Sequence, residues 1–229
     1  MRAVLLQKEF TDSDVGKEIL LEGDSARHLI KVARIKKFED ILILNGLGRR
    51  CEVVVKHIDR KTLTVEVRSV QEVKDERRLS LFLGLPKKDA FESIVKMASE
   101  IGIKNIYLYR SEFSQQVIEI GERVERLEES AIVQSNNPFK LNFIEVYSFS
   151  EVFEKYSNIV HFSTYSSSDK TLNLEGEALM VIGPEAGFSV EEEELINGYK
   201  NVSIIKLNTN IMRAPTALAV ASGYILKSF

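Results

Sequence analysis

The chain has 229 residues, 44% of them hydrophobic and 28% charged, with a net charge of −3. That mixture supports one large core or two modest ones and excludes a disordered chain. No apolar run reaches membrane-spanning length, and Cys51 is the only cysteine, which excludes an internal disulfide and a cysteine-built zinc site.

The N-terminal stretch MRAVLLQKEF is too short in its apolar part for a secretory signal and has no small-residue cleavage site, so a cytoplasmic protein is expected. The first 70 residues read as mostly β. A short helix is expected near 24–32, with Asp24 or Ser25 as its cap. Ile41–Leu44 is an apolar strand, and Asn45-Gly46-Leu47-Gly48 a turn with glycines free to take positive φ. Arg49–Ile58 and Thr62–Val70 alternate around Asp59-Arg60-Lys61 as a hairpin. Short strands closing on one small helix predict a compact barrel. The polar run 71–78 reads as a linker, and the expected domains are 1–72 and 73–229.

After the linker the pattern changes. Leu79–Leu85 is a buried strand. Asp89 and Glu92 have capping-box spacing at the start of a helix whose Phe91, Ile94, Val95, Ala98 and Ile101 recur at helical period, with Gly102 as its C-terminal stop. Strands are expected at 103–109, 143–147, 158–162, 179–182 and 202–207. Helices are expected at 122–135, 150–156, 189–199 and 215–226, the third opened by a Ser189/Glu192 capping box. Strands alternating with helices predict an α/β unit with a parallel sheet covered on both faces. The serine run 166–168 reads as a loop, and the acidic run 191–194 as a solvated helix face.

Charge is divided unevenly. Residues 1–78 hold 17 Lys and Arg against 14 Asp and Glu, whereas 79–229 hold 14 against 20. The front of the chain is therefore the better landing place for a polyanion. Three histidines, at 28, 57 and 161, are too scattered for a metal site. The chain has no G-x-G-x-x-G, no P-loop lysine motif and no nucleophile triad pattern.

In an open parallel sheet, ligands bind off the carboxyl ends of strands. Three such ends stand out: 163–169, Gly183-Pro184-Glu185-Ala186-Gly187-Phe188, and 208–213. On spacing alone, 183–188 reads more readily as a plain β-to-α turn than as a ligand loop.

The segment Ile182-Gly183-Pro184-Glu185-Ala186-Gly187-Phe188-Ser189 resembles the I-G-P-E-G-G-F-S stretch of the small-subunit ribosomal RNA methyltransferase E family, within the SPOUT superfamily. His28–Arg34, Leu85–Lys88, Lys96–Ile103, Ser111–Ser114, Gln134-Ser135 and Ile211–Ala217 resemble further family segments in the same order. The resemblance implies a PUA-like RNA-binding barrel followed by an α/β domain with a C-terminal trefoil knot. It also implies a homodimer that uses S-adenosylmethionine to methylate uridine N3 in ribosomal RNA, free or within the small subunit.

Residue by residue, it assigns Arg213 and Glu185 as catalytic candidates, with a loop brace the preferred role for Glu185. Ser163, Ile182, Gly183, Pro184, Gly187, Leu207, Asn208, Ile211, Met212 and Ala217 become cofactor-binding candidates, of which Ile211 and Met212 serve equally as core residues. His28, Arg34, Arg49 and Arg50 become RNA-binding candidates, His28 serving equally as an ordinary helix residue.

The chain departs from the family pattern at several positions. Ala186 stands in place of a glycine, which requires a negative φ or strain. Asn208 replaces another glycine and tolerates left-handed backbone. Asn137 and Asn210 replace basic residues, and Pro215 replaces a glutamate, which removes a carboxylate while leaving the first helical turn intact. Two alternatives stay open on these departures: a SPOUT-type enzyme acting at another RNA position, and a non-catalytic RNA-binding or ribosome-assembly factor on the same fold.

Overall fold

A computed structural model of the chain describes residues 2–114, 119–163 and 172–229. Contacts divide it into two units, residues 1–76 with 129–140, and residues 77–128 with 141–229.

The first unit is a five-stranded sheet. Its strands are β1 (Arg2–Leu5), β2 (Glu18–Leu21), β3 (Asp40–Leu44), β4 (Arg49–Ile58) and β5 (Leu63–Glu72), in the order β1-β3-β4-β5-β2. Only β1 and β3 run parallel; the remaining pairs are antiparallel. The predicted hairpin forms, with register shifts after Glu52 and after Val55 that sharpen the sheet's twist. Alternate residues Ile41, Ile43, Cys51, Val53, Val55, Leu63, Val65 and Val67 turn inward with Phe10 and Leu29 to make the core. Burial pushes the Cys51 thiol up to about 11.

The predicted first helix is really two pieces. An α-turn, α1 (Gly23–Arg27), runs into a single π turn, His28–Val32. Glu22 is the N-cap, without a side-chain bond, so neither Asp24 nor Ser25 caps it. Strand β5 also takes in Gln71 and Glu72, at the start of the expected linker. Residues 129–135 pack Ile132 and Val133 against Ala3, Leu5, Leu42 and Leu44.

The second unit is a six-stranded, wholly parallel sheet. Its strands are β6 (Leu79–Gly84), β7 (Asn105–Tyr109), β8 (Asn142–Val146), β9 (Asn158–Phe162), β10 (Ala178–Ile182) and β11 (Val202–Ile205), in the order β11-β9-β10-β6-β7-β8. Its helices are α2 (Lys88–Ile101), α4 (Ser150–Phe153), α5 (Val190–Asn197) and α6 (Ala214–Leu226), together with residues 122–128 of α3 (Glu122–Ser135), whose remaining residues belong to the first unit.

Alternation along the central strands shows that both faces are covered. Leu79, Leu81 and Leu83 of β6 and Ala178, Met180 and Ile182 of β10 join one core with α2 and α6. Phe82, Leu179 and Val181 join the other, with α4 and α5. All six residues of β6 are buried, as a central parallel strand requires.

The two expected capping boxes part ways. Ser189 caps α5: its Oγ accepts from the Glu192 amide at 3.3 Å, and Glu192 Oε2 accepts from the Ser189 amide at 2.9 Å. At α2 the N-cap is Lys87, with no side-chain bond, and Glu92 instead pairs with Arg123 through two contacts. Arg123 lies on α3, so the partner that claims Glu92 is remote in sequence. Gly102 ends α2 in a left-handed turn, φ 85°, as expected.

Candidate functional site

Strands β9, β10 and β11 are neighbours in the sheet, so their carboxyl ends open together. There the turn 183–188 and the segment 206–212 enclose a cavity of ≈ 560 Å³. Phe162 and Ser163 line it at the end of β9, and Ala214 and Ala217 line it from α6. Of the ten cofactor-binding candidates, Ser163, Ile182, Gly183, Pro184, Gly187, Leu207, Ile211, Met212 and Ala217 line this cavity, and Glu185 lines it too. Asn208 does not; it is exposed and lies outside the lining. Residues 164–169, the rest of the first expected strand end, and the serine run 166–168 lie outside the described residues.

The turn after β10 is held from three sides. Gly84, the last residue of β6, faces it so closely that a Cβ there would stand 2.7 Å from Pro184 Cδ and 3.1 Å from the Pro184 nitrogen. Glu185 reaches across to the start of α2, where its carboxylate oxygens accept from the Lys87 amide at 3.0 and 3.2 Å. In this conformation Glu185 is a brace.

The Gly187 amide closes the turn on the Pro184 carbonyl at 2.9 Å, with φ 80°. Ala186 is not among the residues with positive φ, so its methyl group adds no backbone strain. Asn208 is not among them either, so the left-handed tolerance expected there is not used. Behind the turn Phe188 packs on Phe149 and lies 5.9 Å from the His161 ring.

Among the lining residues that were not foreseen, His161 and Glu193 carry polar groups that meet each other. His161, at the end of β9, is 2% exposed, and its Nε2 lies 2.9 Å from Glu193 Oε2. With the carboxylate accepting, Nε2 is the ring nitrogen that donates to it, and the other is Nδ1. That Nδ1 is buried and has no partner among the described residues. The acidic run 191–194 is therefore not a plain solvated face. Glu193 turns toward the sheet. Glu192 is 7% exposed, and besides capping α5 it accepts from the Glu112 amide at 3.1 Å. Burial, with Glu192 beside it, pushes the Tyr109 hydroxyl up to about 12. The missed signal was Ile196, which follows both glutamates at helical spacing and is fully buried.

Segment 206–212 is looser. One short turn, from the Thr209 amide to the Leu207 carbonyl at 2.8 Å, closes within it, and Ile211 is 87% exposed. Arg213 follows as the N-cap of α6. It is exposed, lies outside the lining although both its neighbours Met212 and Ala214 belong to it, and has no ion-pair partner among the described residues. Pro215 fits the first turn of α6, where an amide has no helical partner in any case.

In the first unit, His28 opens the π turn and is exposed, and Arg34 is exposed at φ 49°. Arg49 is paired with Glu72 at 3.1 Å, and Arg50 donates to the Asn136 carbonyl at 3.0 Å. Arg50 is thus committed to its own unit, and Arg49 is half committed. Among the described residues no three His, Cys, Asp or Glu side chains form a group that could hold a metal ion, and no helix is long and apolar enough to cross a membrane.

Residues 73–226 match a family described as the RNA methyltransferase domain, and residues 21–68 match the RNA methyltransferase PUA domain. The chain is 29% identical over 221 residues to a Rickettsia conorii protein named ribosomal RNA small subunit methyltransferase E, an alignment covering 89% of this chain and 87% of that one. It is 24% identical to the protein of the same name from Aquifex aeolicus, covering 84% and 88%. A Neisseria gonorrhoeae ribosomal RNA small subunit methyltransferase E, solved bound to S-adenosyl methionine, superposes with a TM-score of 0.80 at 18% identity, over 99% of this chain and 97% of that one.

Proposed function

The chain belongs to the RNA methyltransferase domain family, and from that membership we propose that it transfers a methyl group from S-adenosylmethionine to N3 of a uridine in small-subunit ribosomal RNA. The observation that carries the reading is the single cavity closed by 183–188 and 206–212 at the ends of three adjacent parallel strands. Its volume lies within the range of about 300–1,000 Å³ usual for small-molecule and cofactor sites. Its glycine-bearing turn lets backbone approach a ligand, and Ile182, Leu207, Ile211 and Met212 offer apolar walls for adenosine and methionine portions. Gly183, Pro184, Gly187, Ser163 and Ala217 would complete the contact.

Bound there, S-adenosylmethionine supplies a methyl group on a sulfonium for in-line displacement by a nucleobase nitrogen. The chain's own part is alignment and exclusion of water by the two walls. Uridine N3 must first lose its proton to solvent water, which leaves negative charge on the flanking carbonyl oxygens. Arg213, cationic and in no ion pair among the described residues, is the residue to stabilise that charge. Glu185 acts by holding the turn against the start of α2.

The domain scheme follows: residues 1–72 as a PUA-like RNA-binding barrel and 73–229 as the SPOUT methyltransferase domain, with a C-terminal trefoil knot and a homodimeric assembly. The match of 21–68 to the methyltransferase PUA domain supports the first part. His28 and Arg34, both exposed, remain the RNA-contact residues of choice, ahead of Arg49 and Arg50. A cytoplasmic location follows from a ribosomal RNA substrate.

Arg213→Ala tests the reading. We expect methylation of ribosomal RNA, followed by nucleoside mass spectrometry, to be lost, while calorimetric binding of S-adenosylmethionine and the thermal midpoint are retained. Unchanged methylation would remove Arg213 from the chemistry. Absence of S-adenosylmethionine binding by the wild type would favour a non-catalytic RNA-binding factor. A methylated nucleoside other than N3-methyluridine would move the enzyme to another RNA position.

A further inference from the structure

The first unit carries an exposed aromatic ring in an unfavourable backbone conformation, in a segment rich in cations. Phe38 is 68% exposed and sits at φ 70°. A bulky residue at positive φ is an outlier, and an exposed phenylalanine gains nothing from burial. Glycine would serve a bare turn better on both counts. Lys31, Arg34, Lys36 and Lys37 are all exposed, and among the described residues none of the four is in an ion pair. Lys37 Nζ stands 4.9 Å from the Phe38 ring centroid. Val32, 69% exposed, adds a second apolar surface to the same segment.

The loop that presents the ring is fixed. Ile35, 7% exposed, anchors it in the core, and its amide donates to the Leu29 carbonyl at 3.0 Å. The Phe38 amide donates to the Val55 carbonyl at 2.8 Å, and the Val55 amide returns to Glu39 at 3.0 Å, so strand β4 holds the loop. The Glu39 side chain accepts from the Lys36 amide at 3.2 Å and is paired with Arg2. Of the two acidic residues that follow the ring, Glu39 is thus occupied within the loop's own framework, and Asp40 is exposed at the start of β3.

From this we propose that Phe38 is a stacking platform for an unpaired nucleobase, with Lys31, Arg34, Lys36 and Lys37 engaging the phosphates on either side. The proposal rests on the reading that the first unit binds RNA, and it narrows the ligand to a single-stranded segment. Stacking on an exposed ring needs an unstacked base, which a duplex does not offer. The four cations without an ion pair fit a polyanion and not an apolar protein partner. The preset loop lowers the ordering cost of binding.

The test uses the full chain with fluorescein-labelled, unstructured RNA of about twelve nucleotides and a blunt duplex of equal length, read by anisotropy. Phe38→Ala should weaken binding of unpaired RNA roughly 5- to 150-fold and leave duplex binding within about twofold. Phe38→Trp should restore it. Lys37→Ala should weaken both ligands and lower the salt slope by about 0.7–0.9. Phe38→Gly should raise Tm by about 2–4 °C while it weakens unpaired RNA, which a merely structural turn would not do.

Equal binding of unpaired RNA by wild type and Phe38→Ala overturns the proposal alone, since S-adenosylmethionine binding measured in parallel reports on the broader reading. Loss of oligomer on Phe38→Ala, seen by sedimentation, overturns it in favour of a protein contact. A wild type that binds neither RNA overturns both readings.

Discussion

The two walls of the cavity are built differently. The turn 183–188 is pinned by close approach of β6, by the Glu185 brace and by the Phe188 ring behind it, and it runs into a helix capped on both sides by Ser189 and Glu192. The segment 206–212 has one internal hydrogen bond and a nearly bare Ile211. One wall is part of the folded core, and the other is a loosely bonded segment with an exposed apolar side chain. Binding energy and folding energy should therefore separate between them.

The largest effect is expected at Gly84→Ala. The new methyl would push on the proline ring and its backbone nitrogen, so we expect a loss of about 1–3 kcal/mol in chemical denaturation and at least roughly tenfold weaker S-adenosylmethionine binding. A neutral result would mean that the turn is not pinned. Gly187→Ala comes next. Space is open around that position, so left-handed strain acts alone and should cost about 1–2 kcal/mol. Glu185→Ala should cost about 1 kcal/mol through loss of the Lys87 contact, with binding weakened in step.

Ile211→Ala, in the other wall, should change stability by less than about 0.5 kcal/mol yet weaken binding roughly tenfold. If it destabilised the fold as much as Glu185→Ala, the contrast between the walls would fail. A further effect concerns pH. Tyr109, raised from 10.0 to about 12 by burial and by Glu192, stays protonated in the fold while the unfolded chain ionises. Its stabilising contribution is complete below pH 10 and is lost as pH climbs from about 10 to 12. Denaturation midpoints across that window should fall less steeply in Tyr109→Phe.

The rigid wall was also the legible one. Gly183, Pro184, Glu185 and Gly187 were visible as a glycine- and proline-bearing junction between an apolar strand and a capped helix, and all four line the cavity. Within 208–213, Ile211 and Met212 line the cavity, whereas Asn208 is exposed and outside the lining. His161 and Glu193 went unseen because their partnership spans two elements that only the sheet order brings together. Glu92 misled for the same reason: its spacing fitted a cap, and Arg123 of another helix claimed it.

By itself, the sequence determined the periods. Alternation in β4 and β5, helical recurrence in α2, and buried runs in β6 and β10 follow from where apolar side chains stand along a backbone with fixed geometry. Local chemistry also determined the α5 cap and the stop at Gly102, since each needs only residues a few positions apart. The order β11-β9-β10-β6-β7-β8 was decided only in three dimensions, and with it the meeting of 183–188 and 206–212 around one cavity. Those contacts join residues far apart in the chain, and their selection depends on which faces bury together rather than on any local preference.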